Sequence, residues 1–127
     1  MEVTTASTAG SATGSQTIAD LIPRAAAAHG AKTAIRYKRD GAWQDVSYEQ
    51  LDEIVQEIGL GLIDLGIEPG DRLCILGNTR PEWSYADMAA TSAGAVVVPI
   101  YQTNSPEECL WVFSDSEACA IVCENEE

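Results

Sequence analysis

Three compact apolar runs, at residues 73–76, 95–98 and 118–123, alternate with two stretches of helical spacing, and this alternation constrains the fold more than any other feature. Leu73-Cys74-Ile75-Leu76 has no charged residue, as expected of a strand buried on both faces. Ala95-Val96-Val97-Val98 reads as a second buried strand, ended by Pro99, and residues 118–123 as a third. Between the first two, Pro81 opens a helix at its first position, and Glu82 suits the positive helix end. That helix runs to about Ala93, and Ala86, Ala89, Ala90 and Ala93 give it a face able to sit close to a sheet. Ser105-Pro106-Glu107-Glu108 opens the next helix with a cap, a first-turn proline and a capping-box glutamate. Leu110, Val112 and Phe113 supply its apolar surface. Buried strands alternating with helices imply parallel pairing through right-handed crossovers. The expected class is therefore α/β, an open, doubly wound, mostly parallel sheet flanked by helices. If the strands follow simple chain order, both crossover helices cover one face and earlier helices must cover the other.

Earlier residues supply two helices and a short β-hairpin. Thr17 can cap a helix over residues 17–29 in which Ile18, Leu21, Ile22 and Ala25 share a face and Gly30 ends the run. Two short runs, 33–37 and 42–48, flank Asp40-Gly41 and read as a hairpin. Core packing is the default role for its Trp43. Ser47 and Gln50 form a capping-box pair, and Leu51, Ile54, Val55, Ile58, Leu62 and Leu65 then recur at helical spacing. Gly59 and Gly61 each cost such a helix about 1 kcal/mol relative to alanine. Their presence implies close approach to a neighbouring backbone. Gly66 can take the left-handed conformation that ends the helix. Gly94 is expected to permit a tight passage from helix to strand. Residues 1–16, rich in Thr, Ala, Ser and Gly, are expected to form a flexible tail, leaving residues 17–127 as one α/β unit.

Composition narrows the partners. Twenty acids against seven bases give a net charge of −13, which argues against nucleic acid and against docking on an anionic membrane. The longest apolar run, residues 93–100, is broken by Gly94 and Pro99 and is far short of the roughly 20 residues of a membrane span. No basic start or apolar core of a signal peptide is present, and a cytoplasmic location is expected. Cys74, Cys109, Cys119 and Cys123 form no C-x-x-C pair, and His29 is the one histidine, so no zinc site is expected. The four thiols read as small buried groups in a reducing compartment.

Phosphate-binding glycine loops and a nucleophile elbow are absent from the sequence. Asn78 and the loop Tyr101-Gln102-Thr103-Asn104 follow the carboxyl ends of strands, where doubly wound folds bind ligands. Loop capping and turn formation are their default roles. No catalytic, cofactor-binding or metal-binding residue is assigned. The residues alone stop at an α/β domain without a catalytic set.

Several stretches, in order, resemble the N-terminal subdomain of the AMP-forming adenylating enzymes, which include acyl-CoA synthetases, luciferases and peptide-synthetase adenylation domains. They are Val46-Ser47-Tyr48-Glu49-Gln50-Leu51, Leu65-Gly66-Ile67-Glu68-Pro69-Gly70-Asp71-Arg72 and Asn78-Thr79-Arg80-Pro81-Glu82-Trp83. Ala93-Gly94-Ala95-Val96-Val97-Val98-Pro99-Ile100-Tyr101 and Ser114-Asp115-Ser116-Glu117-Ala118 follow. The Asn-x-Arg-Pro-Glu-Trp stretch, with Pro-Ile-Tyr-Gln-Thr-Asn-Ser, is most similar to the long-chain fatty-acid–CoA ligases. The resemblance implies an enzyme that uses ATP, Mg2+ and CoA. A carboxylate attacks the α-phosphate to give acyl-adenylate and pyrophosphate, and the CoA thiol then displaces AMP. In such enzymes the Ser/Thr/Gly-rich loop ending in Pro-Lys-Gly, the adenine pocket, the ribose-binding aspartate and the C-terminal-domain lysine lie downstream of the matching region. This stretch alone is therefore expected to be inactive and to bind none of these cofactors tightly. Its expected partner is the remainder of its own chain, and its last strand is expected to leave an apolar edge that self-associates. The alternatives are a free-standing interaction or scaffold domain and, within the family, a ligase for aryl or amino acids. A receiver-like regulatory domain would need an acidic cluster at the strand ends, which Gly77-Asn78 and Tyr101 do not supply.

Overall fold

The computed structural model describes residues 14–126, and most of the expected tail lies outside the described residues. In chain order the elements are α1 (Leu21–His29), β1 (Thr33–Arg39), β2 (Ala42–Ser47), α2 (Tyr48–Asp64), β3 (Arg72–Leu76), α3 (Pro81–Ser92), β4 (Val96–Ile100), α4 (Pro106–Asp115) and β5 (Ala120–Cys123).

Helix α1 starts four residues later than expected. Pro23 has no N–H and belongs in a first turn. A start at Leu21 puts it there, whereas a start near Thr17 would leave a broken backbone bond mid-helix. Thr17 and Asp20 still bond reciprocally at 3.3 Å, as a turn ahead of the helix. Ile18 consequently stays exposed.

The hairpin forms as the Asp-Gly pair requires. Asp40 and Gly41 both have positive φ, 50° and 80°, the signature of a two-residue primed turn. Val46, Ile35 and Tyr37 face Leu51 and Val55 of α2 in one apolar cluster. Trp43 is three residues from Val46 in a strand of period two, so it faces the other way. It is 67% exposed and pairs across from Lys38. The expectation of core packing was wrong for this reason.

Helix α2 carries the complete capping box. Ser47 Oγ accepts from the Gln50 N–H at 3.1 Å, and Gln50 Oε1 accepts from the Ser47 N–H at 3.0 Å. Leu51, Val55 and Gly59 are its buried face. A Cβ on Gly59 would sit 3.4 Å from the Ala89 carbonyl oxygen, whereas Gly61 faces open space. The close approach inferred from two glycines belongs to Gly59 alone. Leu65 lies past the helix end and is 83% exposed; Gly66, with φ +96°, turns the chain so that Ile67 is buried instead.

The second sheet is parallel, with order β4-β3-β5. Simple chain order does not hold, because β3 is central. The β3-to-β4 step and the β4-to-β5 step run in opposite directions, so right-handed crossovers put α3 and α4 on opposite faces. Side chains agree. Leu73 and Ile75 pack with Ala86 and Ala90 of α3, while Cys74 turns to Ser116 at the end of α4, 3.9 Å away. The earlier helices layer onto the α3 side, not onto the other face. Among the described residues only α4 covers that other face, and its Leu110 and Trp111 are each 66% exposed.

Among the described residues no strand lies beyond β4 or β5, and both are only half-buried; for β5 this is the edge expected of the last strand, whereas β4 reads as fully buried in the sequence. Strand β4 continues past Pro99 to Ile100. Val96 donates its N–H to the Asp71 carbonyl at 2.7 Å. Alternate residues face the same neighbour, so Pro99 turns its missing donor to the open edge, the place where a strand tolerates proline.

Gly94 joins α3 to β4 with φ +86°, and a Cβ there would lie 3.1 Å from Pro69 Cβ. Its carbonyl accepts from the Gly70 N–H at 2.9 Å. Gly94→Val should therefore cost about 1–3 kcal/mol in a urea titration. Gly61→Ala, in open space inside α2, should instead add about 0.5–1 kcal/mol. Equal midpoints for Gly94→Val and the parent would show that the turn is not constrained.

Candidate functional site

The carboxyl ends of β3 and β5 open into a cleft of about 180 Å3, with Ile75, Trp83 and Val122 as apolar lining and Asn78, Arg80, Glu82 and Glu124 as the polar rim. Gly77-Asn78 follow strand β3, and Arg80 is the residue before Pro81, so the link from β3 to α3 delivers both donors to one place. Glu124, just past β5, closes the arrangement. Its Oε2 accepts from the Asn78 N–H at 2.8 Å and from Asn78 Nδ2 at 2.9 Å. Its Oε1 accepts from Arg80 Nη1 at 3.0 Å. Arg80 Nε also donates to Glu82 at 2.8 Å, and Arg39, from the end of β1, donates to Glu82 at 2.7 Å.

The network therefore runs Arg39–Glu82–Arg80–Glu124–Asn78, with two positive and two negative side chains. It ties the hairpin, α3 and the segment after β5 together. The bond from Arg80 holds the Glu82 carboxyl down at about 2. The Asn78 N–H, then Arg80, holds Glu124 below the usual carboxylate range. Both glutamates raise the Arg80 guanidinium. Carboxylates this committed are too weakly basic to take a proton at neutral pH. They can orient donors and fix charge. A neighbouring depression of about 420 Å3 extends past Asn78 and Glu124 to Gln102, Asn125 and Glu126.

Asn78, one of the two positions that fold logic singled out, lies in this cleft. Of the loop 101–104, only Gln102 reaches the neighbouring depression. Asn104 closes a turn by donating to the Tyr101 carbonyl at 3.0 Å, which is the default role expected of that loop. Arg80, Glu82 and Glu124 were not anticipated as a group. Arg80 and Glu82 are two apart in sequence, but Arg39 and Glu124 are each more than 40 residues from their partners, and nothing local announces them. Among the described residues, no group of three or more His, Cys, Asp or Glu could hold a metal ion. All four cysteines are free, but only Cys74 is buried, where burial raises its thiol. Cys119, just before the edge strand β5, and Cys123, its last residue, are exposed where small buried thiols are expected. His29 stacks at a tilt on Tyr48, ring centroids 5.3 Å apart, and lies far in sequence from the cleft. No helix among the described residues is long and apolar enough to cross a membrane.

A family model described as AMP-binding enzyme matches residues 22–127. Long-chain-fatty-acid–CoA ligase FadD15 of Mycobacterium bovis is 44% identical over 87 residues, covering 68% of this chain and 14% of that protein. Long-chain-fatty-acid–CoA ligase ACSBG2 of Gallus gallus is 33% identical over 110 residues, covering 87% of this chain and 14% of that protein. Among solved structures, the fatty acid AMP ligase from Legionella pneumophila superposes with a TM-score of 0.78 at 22% identity, over 86% of this chain and 20% of that one. The N-terminal subdomain of Klebsiella oxytoca NpsA, in complex with 3-hydroxyanthranilyl-AMSN, gives 0.79 at 18% identity, over 87% of this chain and 27% of that one. The fold is thus that of an adenylating-enzyme N-terminal subdomain, as the sequence motifs implied. This chain belongs to the AMP-binding enzyme family, and it spans about a seventh of the length of the curated relatives it matches.

The acid behaviour of the network follows from Glu82. Its folded value lies below its ordinary one, so the unfolded chain takes up the proton first as pH falls. Stability from the bridge is complete above about 4.5 and is lost on the way down to about 2. Urea midpoints measured between those limits should fall more steeply for the parent chain than for Glu82→Gln. Parallel slopes would remove Glu82 from the account.

Proposed function

We propose that this chain is the N-terminal part of a long-chain fatty-acid–CoA ligase. The observation that carries the reading is the 44% identity to a ligase of that name. In the whole protein a fatty acid is joined to AMP at the expense of ATP, with Mg2+ shielding the phosphates, and is then passed to CoA. This chain's contribution is architectural. Residues 17–127 form one α/β unit whose parallel sheet presents its carboxyl edge, with the Asn78–Arg80–Glu124 arrangement, to the rest of the molecule. Shielding a triphosphate needs converging amide donors and cations. Arg80 is the one basic residue on the rim of this cleft, and it is already shared between two carboxylates. The chain by itself is therefore inactive, and its working location is the cytoplasm.

Exchange of labelled pyrophosphate into ATP tests this. The protein encoded by the full reading frame should catalyse exchange that depends on a long-chain fatty acid, and the 127-residue chain should not. Exchange driven by aryl or amino acids alone would replace the substrate class. Exchange by the short chain would overturn its inactivity. A stop codon directly after Glu127 in the natural gene would favour a free-standing interaction domain.

The chain on its own should also self-associate. Among the described residues the outer edge of β5 is unpaired, and Ile121, Leu110 and Trp111 are exposed on the same side of the sheet. Gel filtration at rising concentration should show growth beyond the monomer, with binding of a hydrophobic dye. A monomer at every concentration, with no dye bound, would contradict it.

A further inference from the structure

Three hydrogen-bond donors of different kinds converge on one carboxylate at the cleft, and that carboxylate belongs to the chain itself. The Asn78 backbone N–H, the Asn78 side-chain amide and the Arg80 guanidinium reach Glu124 at 2.8, 2.9 and 3.0 Å. Such a set recognises two oxygens of a planar or tetrahedral anion. Gly77 completes the fit, since a Cβ there would lie 3.3 Å from Glu124 Cβ. The charges of the network balance only while Glu124 is in place. If Glu124 swings out, Arg39 and Arg80 face Glu82 alone, and the cleft carries one net positive charge. The occupant stands just past β5, its backbone N–H still donating to the Leu76 carbonyl at 3.2 Å, so its side chain alone fills the cradle. Beside it the cleft keeps an apolar lining of Ile75, Trp83 and Val122, which excludes water from one side of the donors.

We propose that the Asn78–Arg80 cradle is a binding site for a carboxylate or phosphate group, and that Glu124 occupies it from within as a tethered competitor. Anion binding and the Glu124 latch are then mutually exclusive, and release of the Glu124 side chain accompanies binding. An intramolecular competitor of this kind acts at an effective concentration in the millimolar range, and it weakens the apparent affinity for an added anion in proportion to how fully it occupies the cradle. The proposal does not rest on ligase activity. It stands or falls on binding by this chain, whereas the ligase reading stands or falls on pyrophosphate exchange by the full-length protein.

The test is amide and guanidinium NMR on the 15N-labelled chain and on Glu124→Ala, titrated separately with inorganic phosphate and with acetate at constant ionic strength. Saturable shifts of the Asn78 N–H and Arg80 Nε signals are expected in the variant. In the parent they should need at least about tenfold more anion, the consequence of the tethered competitor. Adding Arg80→Gln to the variant should abolish them. A response to phosphate alone or to acetate alone assigns the group, and a response to both assigns the shared chemistry. Unsaturable or absent shifts in a folded Glu124→Ala chain overturn the proposal. If Glu124→Ala does not fold, Glu124→Gln keeps an acceptor and drops the charge. Failure of both to fold makes Glu124 a structural tie and overturns it equally.

Discussion

Burial of β3 on both faces is the constraint on which the rest of this molecule depends. Leu73 and Cys74 are wholly buried and Ile75 nearly so. A strand can be that dry only if its backbone is paired on both sides and both of its faces are covered. Strands β4 and β5 supply the pairing, and α3 and α4 supply the cover. Each fully buried aliphatic side chain contributes about 1.5–3 kcal/mol relative to exposure, so displacing β3 would forfeit most of the favourable burial in the second half of the chain. The layers beyond it are successively less dry. Helix α2 buries three residues against the hairpin and α3, and α1 and α4 bury none fully.

Centrality of β3 also decides where chemistry can sit. A reversal in strand order places successive crossover helices on opposite faces, which opens a crevice at the carboxyl ends of the strands. Asn78, Arg80 and Glu124 meet there because β3 and β5 end, and α3 begins, at the same level. Their charges are spoken for within the network, which explains how a chain of net charge −13 keeps two arginines fixed at a sheet edge. Arg72 does related work at the opposite end of β3. Its guanidinium donates to the Ser116 and Glu117 carbonyls at 3.0 and 3.1 Å, capping the end of α4 and holding Glu117 at φ +53°.

Local signals were read correctly where a few neighbouring residues carry the whole interaction. The capping boxes at Ser47–Gln50 and Ser105–Glu108, the Asp40-Gly41 turn and the left-handed Gly66 are all of this kind. Errors arose where a neighbour distant in sequence decides. Trp43 was assigned to the core because of its type, but the phase set by Val46 turns it outward. The composition of β4 reads as a strand buried on both faces, but no strand lies beyond it among the described residues, whereas β5 lies at the edge expected of the last strand. The start of α1 was misplaced for a local reason that was overlooked, the missing N–H of Pro23.

By itself the sequence determined the element types, the parallel α/β class and membership of the adenylating-enzyme family, because periodicity, caps and turn residues act over a few positions and the family motifs keep their order along the chain. Only the tertiary structure decided the strand order, the opposite placement of α3 and α4, and the meeting of Arg39, Arg80 and Glu124. The strand pairings join residues 24 and 47 positions apart, and the arginine bridges residues 43 and 44 apart. Such contacts leave no period in the sequence, since what brings their partners together is the burial of β3, not any property of the residues that meet.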